Sequence, residues 1–217
     1  GHAGDINITT DSLLIDRQNS KGFTGIFSLS HNFNPYKAIP TGDAGNITIN
    51  AASDININGN YKSTHKFFGG SKTGILSDAG LGSAGKAGNL TIHARNIEIS
   101  KEGQISSDTQ SPAVGDLGKA GNLEITATEK ITLDKQASIS SSTFALGNAG
   151  NVTVTAPIIS MDNASIKATA EKDSSGNAGA VTMNSSNLSI FNGGTISSST
   201  QSKAYGNAGT VLVDVDN

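Results

Sequence analysis

A tetrapeptide, Gly-x-Ala-Gly, recurs seven times along the chain, and no other feature limits the possible folds so sharply. The copies start at Gly1, Gly42, Gly85, Gly118, Gly147, Gly176 and Gly206, so successive steps are 41, 43, 33, 29, 29 and 30 residues. A near-constant period in this range marks a solenoid or another array of stacked units. Within the units the same three apolar segments recur in the same order. The first follows the glycine motif, as in Ile47-Thr48-Ile49, Leu90-Thr91-Ile92, Leu123-Glu124-Ile125 and Val152-Thr153-Val154. The second alternates in the same way, as in Ile55-Asn56-Ile57, Ile97-Glu98-Ile99 and Ile131-Thr132-Leu133. The third is a lone isoleucine in a serine-rich setting, as in Ile105-Ser106-Ser107 and Ile139-Ser140-Ser141. A period of two sends alternate side chains inward and outward along a strand. No stretch keeps a 3.6-residue period over the length of a helix.

Three short strands cannot bury their apolar faces within one unit. Stacking equivalent strands of successive units, in parallel and about 4.8 Å apart, buries them in a continuous column. Parallel crossovers are right-handed in about 98% of cases. The expected fold is therefore all-β: a right-handed, single-stranded parallel β-helix with three strands per coil and about six coils. It forms a single domain over residues 1–217, with insertions near 17–41 and 59–84. Asn46, Asn89, Asn122 and Asn151 follow the glycine motif in four consecutive units, and stacked amides there form a structural ladder. Unpaired strand edges at both ends make end-to-end self-association an expected property of the isolated chain.

These units resemble the haemagglutination-activity repeats of filamentous-haemagglutinin-like adhesins, which are exported by two-partner secretion. The resemblance rests on Gly-x-Ala-Gly-Asn-apolar-Thr-apolar, as in residues 147–155, and on Ile-Ser-Ser-Ser-Thr, as in residues 139–143. It covers the whole chain, more tightly from Gly85 onward. It implies a secreted or bacterial cell-surface protein, passed through an outer-membrane transporter, with a part in cell adhesion and virulence. Gly1 starts inside a repeat, and the chain reads as a fragment of a longer repeat protein.

Composition removes several function classes. There is no Cys, which excludes disulfide scaffolds and thiolate metal sites. Net charge is −3, without the basic signature of a nucleic-acid binder, and no apolar run is long enough for a membrane-spanning helix. A polysaccharide-degrading β-helix enzyme, lyase or hydrolase, is the alternative activity. It needs clustered acids for proton transfer or calcium, with a cation beside them. The 13 Asp are scattered along the sequence, with Asp54, Asp134 and Asp162 flanking strands singly. The glycine motifs open strands rather than helices and so cannot form a phosphate loop. Outward Thr48, Thr91, Thr153 and Thr182 read as one half-exposed column, interrupted by Glu124. No catalytic residue, metal site or cofactor is expected.

The amino-terminal third departs from the shaft pattern. Residues 17–24 and 59–73 are inserted between second and third segments, and residues 31–41 precede the second glycine motif. Seven of the ten aromatic residues fall within the first 70 positions. Residues 17–42 carry Arg17, Lys21 and Lys37, residues 55–77 carry Lys62, Lys66 and Lys72, and neither stretch holds an acid. Those six cations leave −9 on the remainder, so the charge is segregated. Two readings compete. In one, the insertions stack into a basic, aromatic surface whose rings pack on sugars and whose cations pair with carboxylate or sulfate. Its residues are Tyr61, Lys62, Lys66, Phe67 and Phe68, with Lys21, Phe33 and Tyr36, and its partner is an anionic glycan or a host-cell surface receptor. In the other, the aromatics fold back over the β-helix flank and the lysines are solvated.

Overall fold

The computed structural model describes residues 1–20, 22–30, 42–59, 72–80, 83–109, 118–144, 146–172, 174–201 and 205–215. Regular structure among them is all strand. The first unit gives β1 (Ile6–Thr10), β2 (Leu13–Asp16) and β3 (Thr24–Phe27), and the second gives β4 (Ile47–Ala51), β5 (Asp54–Asn58) and β6 (Thr73–Leu76). The third and fourth supply β7 (Leu90–Ser100), β8 (Gln104–Ser106), β9 (Leu123–Asp134) and β10 (Ser138–Ser140). The fifth contains β11 (Val152–Thr155), β12 (Ile158–Asp162) and β13 (Ser165–Lys167). The sixth contains β14 (Val181–Ser185), β15 (Asn187–Phe191) and β16 (Thr195–Ser197), and β17 (Val211–Val215) follows the last glycine motif.

Every pairing is parallel and joins equivalent segments of neighbouring units. First-segment strands stack in the order β1-β4-β7-β9-β11-β14-β17, and third-segment strands as β3-β6-β8-β10-β13-β16. Second-segment strands connect through β2-β5-β7 and β9-β12-β15. Register follows the sequence pattern: Ile6, Ile47, Leu90, Leu123, Val152, Val181 and Val211 form one column. Two parallel sheets result, with no helix and no closed barrel among the described residues, an arrangement of solenoid type.

One detail differs from the three-strand expectation. In the third and fourth units the first and second segments fuse into single long strands, β7 and β9, with a register irregularity between Ala94 and Asn96. In the fifth unit Pro157 stands at the corresponding bend and has no N–H for a ladder, so β11 and β12 stay separate. The core is correspondingly narrow. Ile49, Ile92, Ile125, Val154 and Met183 are fully buried, as are Ile75, Ile105, Ile139 and Ile166 from the other sheet. Each such side chain contributes about 1.5–3 kcal/mol before entropy is subtracted.

The glycine motif is explained by a close approach between units. The serine two positions after the third-segment isoleucine points inward and bridges two motifs. Ser107 Oγ donates to Gly88 O at 2.6 Å and accepts the Gly121 N–H at 2.9 Å. Ser28, Ser77 and Ser141 repeat this bridge between the final glycines of their own and the next unit. A Cβ at Gly121 would stand 2.7 Å from Ser107 Oγ, and one at Gly150 2.6 Å from Ser141 Oγ. Only glycine fits there.

Candidate functional site

Chemistry-bearing side chains collect where the third segments turn toward the next glycine motif. Three residues beyond the isoleucine stand Asp78 in the second unit, Asp108 in the third and Ser142 in the fourth. In-register stacking sets them in one column. Asp78 Oδ1 accepts the Ser106 hydroxyl and the Asp108 N–H, both at 2.9 Å, and its Oδ2 takes the Lys72 ammonium at 2.6 Å. Asp108 accepts the Ser142 N–H at 2.7 Å and the Ser140 hydroxyl at 2.8 Å. Both carboxylates are buried. The column continues as Ser142 to Thr169, Thr169 to Glu171 and Lys167 to Glu171. A polar spine thus runs over four units with a lysine at each end.

Burial pushes the Asp108 carboxyl up to about 6, helped by the Asp78 charge and opposed by Lys72 and the Ser142 and Ser140 hydrogen bonds. Burial would lower the Lys72 ammonium, but Asp78 and Asp108 outweigh it and hold that group above the ordinary lysine value. Acids read as scattered along the sequence therefore include one stacked pair. A raised carboxyl beside a second carboxylate and a lysine is the composition of an acid–base site. Here all four carboxylate oxygens are engaged within the protein and both acids lie away from solvent, so the arrangement works as a clasp between units.

The insertions begin beside this clasp. The Arg17 N–H donates to Asn58 O at 3.0 Å, Gly59 N–H to Ser100 O at 3.0 Å and Thr24 N–H to Lys72 O at 3.1 Å. Residues 17–24 and 59–73 thus share their roots, one above the other, whereas 31–41 depart after Ser30, beyond the third segment. The predicted ligand residues Lys21, Phe33, Tyr36, Tyr61, Lys62, Lys66, Phe67 and Phe68 lie outside the described residues. Two cations counted with the basic stretches do not serve a surface: Arg17 is buried with its Nε on Ser20 O, and Lys72 is taken by Asp78.

The asparagine column is hydrogen bonded, though not amide to amide. Each Oδ1 accepts the backbone N–H at the same position of the next unit: Asn46 from Asn89 at 2.9 Å, Asn89 from Asn122 at 2.8 Å, Asn122 from Asn151 at 2.9 Å. Asp5 starts the column by accepting the Asn46 N–H at 2.7 Å, and Asn151 ends it on Ala180 at 2.9 Å. The outward threonine column has a second rank beside it, Asn50, His93, Thr126, Thr155 and Asn184, whose mixed side chains make no repeating hydroxyl lattice.

Among the described residues no group of three or more His, Asp or Glu could hold a metal ion, and no helix is long and apolar enough to cross a membrane. No protein-family description, curated protein or solved structure matches the chain.

Proposed function

We propose that the chain is a non-catalytic repeat segment of a secreted bacterial surface adhesin, a right-handed β-helix of about six coils. It serves as a stiff shaft and contacts an anionic glycan or host-cell receptor through its amino-terminal insertions. The observation that carries the shaft reading is the unbroken, in-register stack of first-segment strands from β1 to β17, laced by serine–glycine and asparagine ladders. The contact reading rests on the resemblance and on the charge segregation of the sequence. The closed state of the Asp78–Asp108 pair favours a structural over a hydrolytic role.

The test is binding to a glycan array containing heparin and sialylated sugars at low and high salt, with the variant K62A/K66A/F67A/F68A as control. Salt-sensitive binding lost in the variant supports the contact surface. Absence of binding by the wild type leaves the shaft alone. Release of reducing ends or unsaturated products from a polysaccharide would replace both with an enzyme.

A further inference from the structure

Lys72 and Asp78 flank β6, one just before Thr73 and the other just beyond Leu76 and Ser77. The lysine Nζ stands 2.6 Å from Oδ2 of the aspartate, one bond away from the carboxyl carbon. The two side chains are 16% and 4% exposed, so little water reaches the contact. The other carboxyl oxygen, Oδ1, accepts from the Ser106 hydroxyl and the Asp108 N–H, both at 2.9 Å. One oxygen is thus held by two donors fixed in the third unit, while the other meets an amine. Two other lysine–acid contacts lack this division. Lys167 and the Thr169 hydroxyl share one oxygen of Glu171, and Oδ1 of Asp134, whose Oδ2 meets Lys135, has no donor.

We infer that Lys72 and Asp78 join in an amide bond, which the folded protein forms by itself with loss of one water. The step balances within the pair. The ammonium hands one proton to Oδ2, leaving a neutral amine whose lone pair attacks Cγ. The carbonyl electron pair moves onto Oδ1, where the Ser106 hydroxyl and Asp108 N–H meet the developing charge as an oxyanion hole does. A second proton passes from nitrogen to Oδ2, the Cγ–Oδ2 bond breaks and water leaves. The three ammonium protons end as one amide N–H and two on the water, and nothing is oxidised or reduced. Reactants held in this way reach effective concentrations of about 10⁵ M or more. The resting state is the ion pair, because Asp78 and Asp108 hold the ammonium above the ordinary lysine value. The neutral amine is therefore scarce and closure is slow. Once formed, the bond replaces two buried charges and fastens the foot of the 59–73 insertion to the far end of β6. Tension along the chain then bypasses that strand.

The intact mass of the full chain, measured under denaturing conditions when fresh and after prolonged incubation of the folded protein, tests this. The wild type should become one water lighter than its sequence. Trypsin should then release residues 67–86 as a single peptide, uncut at Lys72 and lacking a free amine there. Lys72→Arg should keep its full mass, and Asp78→Asn should lose one ammonia instead of a water. Ser106→Ala removes one of the two donors and should slow closure about tenfold or more. Full sequence mass in the wild type after incubation overturns the bond and leaves an ion pair only. A water loss that persists in Lys72→Arg marks imide closure on the backbone and overturns it as well.

Discussion

Asp108 is where the molecule carries a charge it would be more stable without. Its carboxyl is raised from 3.8 to about 6 in the fold, chiefly by burial. The native state therefore holds this proton more tightly than the unfolded chain. The stabilisation is complete below the unfolded value and fades as pH rises through about 6, an effect of about 3 kcal/mol at most. Thermal melting should rise as pH falls from 7.5 to 5. Asp108→Asn keeps an acceptor for the Ser142 N–H, so it should melt higher at pH 7.5 and lose most of the pH dependence. A wild-type profile that is flat over that range would refute the argument. The serine–glycine bridge gives a second comparison. Gly121→Ala drives a Cβ to 2.7 Å from Ser107 Oγ and against backbone, and should cost about 3 kcal/mol or more in urea titrations. Ser107→Ala should cost only about 1–2 kcal/mol. The fifth unit already has Ala168 there, with the Gly179 N–H on Ala168 O at 3.1 Å.

Strands are stabilised by their neighbours above and below, so substitutions follow inward or outward placement. Ile125 on β9 sits between Ile92 and Val154, and Ile125→Ala should cost about 2–4 kcal/mol by loss of packing on both sides. Glu124→Thr, one residue away and facing out, should stay within about 0.5 kcal/mol. A larger effect at Glu124 than at Ile125 would mean the register is shifted by one. Period-two alternation made the strand positions, the inward columns and the asparagine column legible from the residues alone. It misplaced the roles of the polar ones. The second serine of Ile-Ser-Ser stands in a setting the sequence marks only as serine-rich, yet it turns inward to meet a glycine. Its recurrence at a fixed offset in Ser28, Ser77, Ser107, Ser141 and Ser198 was the available signal. Asp78 and Asp108 lie thirty residues apart along the chain but share one offset from their isoleucines, so only alignment by unit brings them together. The positive φ of Lys101 and Lys135, 51° and 50°, leaves no such mark, because lysine is ordinary in a turn until its φ is known.

At the scale of the whole molecule, the described strands of the first-segment stack end at β1, paired with β4, and at β17, paired with β14. β17 is exposed along its length, with Val211, Leu212, Val213 and Val215 between 41% and 56% accessible, and β1 has a free edge at the other end. A second copy placed with its β1 on β17 would pair there, but its second and third segments would stand one strand away from β15 and β16. Head-to-tail association should thus be weak: sedimentation at rising concentration should show reversible oligomers that dissociate on dilution. Val213→Lys should suppress them. Tight, closed dimers unaffected by that change would point to another surface. From β1 to β17 the stack spans roughly 30 Å, six strand spacings of about 4.8 Å.

The side-chain ladders have a direction. Asp5, Asn46, Asn89 and Asn122 each capture an N–H of the unit that follows. Ser28, Ser77, Ser107 and Ser141 do the same with the next glycine, as Asp78 does with Asp108. Each layer therefore presents these side-chain oxygens to the stretch of chain that comes next, while on its opposite surface backbone carbonyls accept from the unit before, as Asp43 O does from Ala3 and Asn46 O from Ile6. The two faces of a unit are thus not interchangeable: side chains do the accepting on one and the backbone on the other.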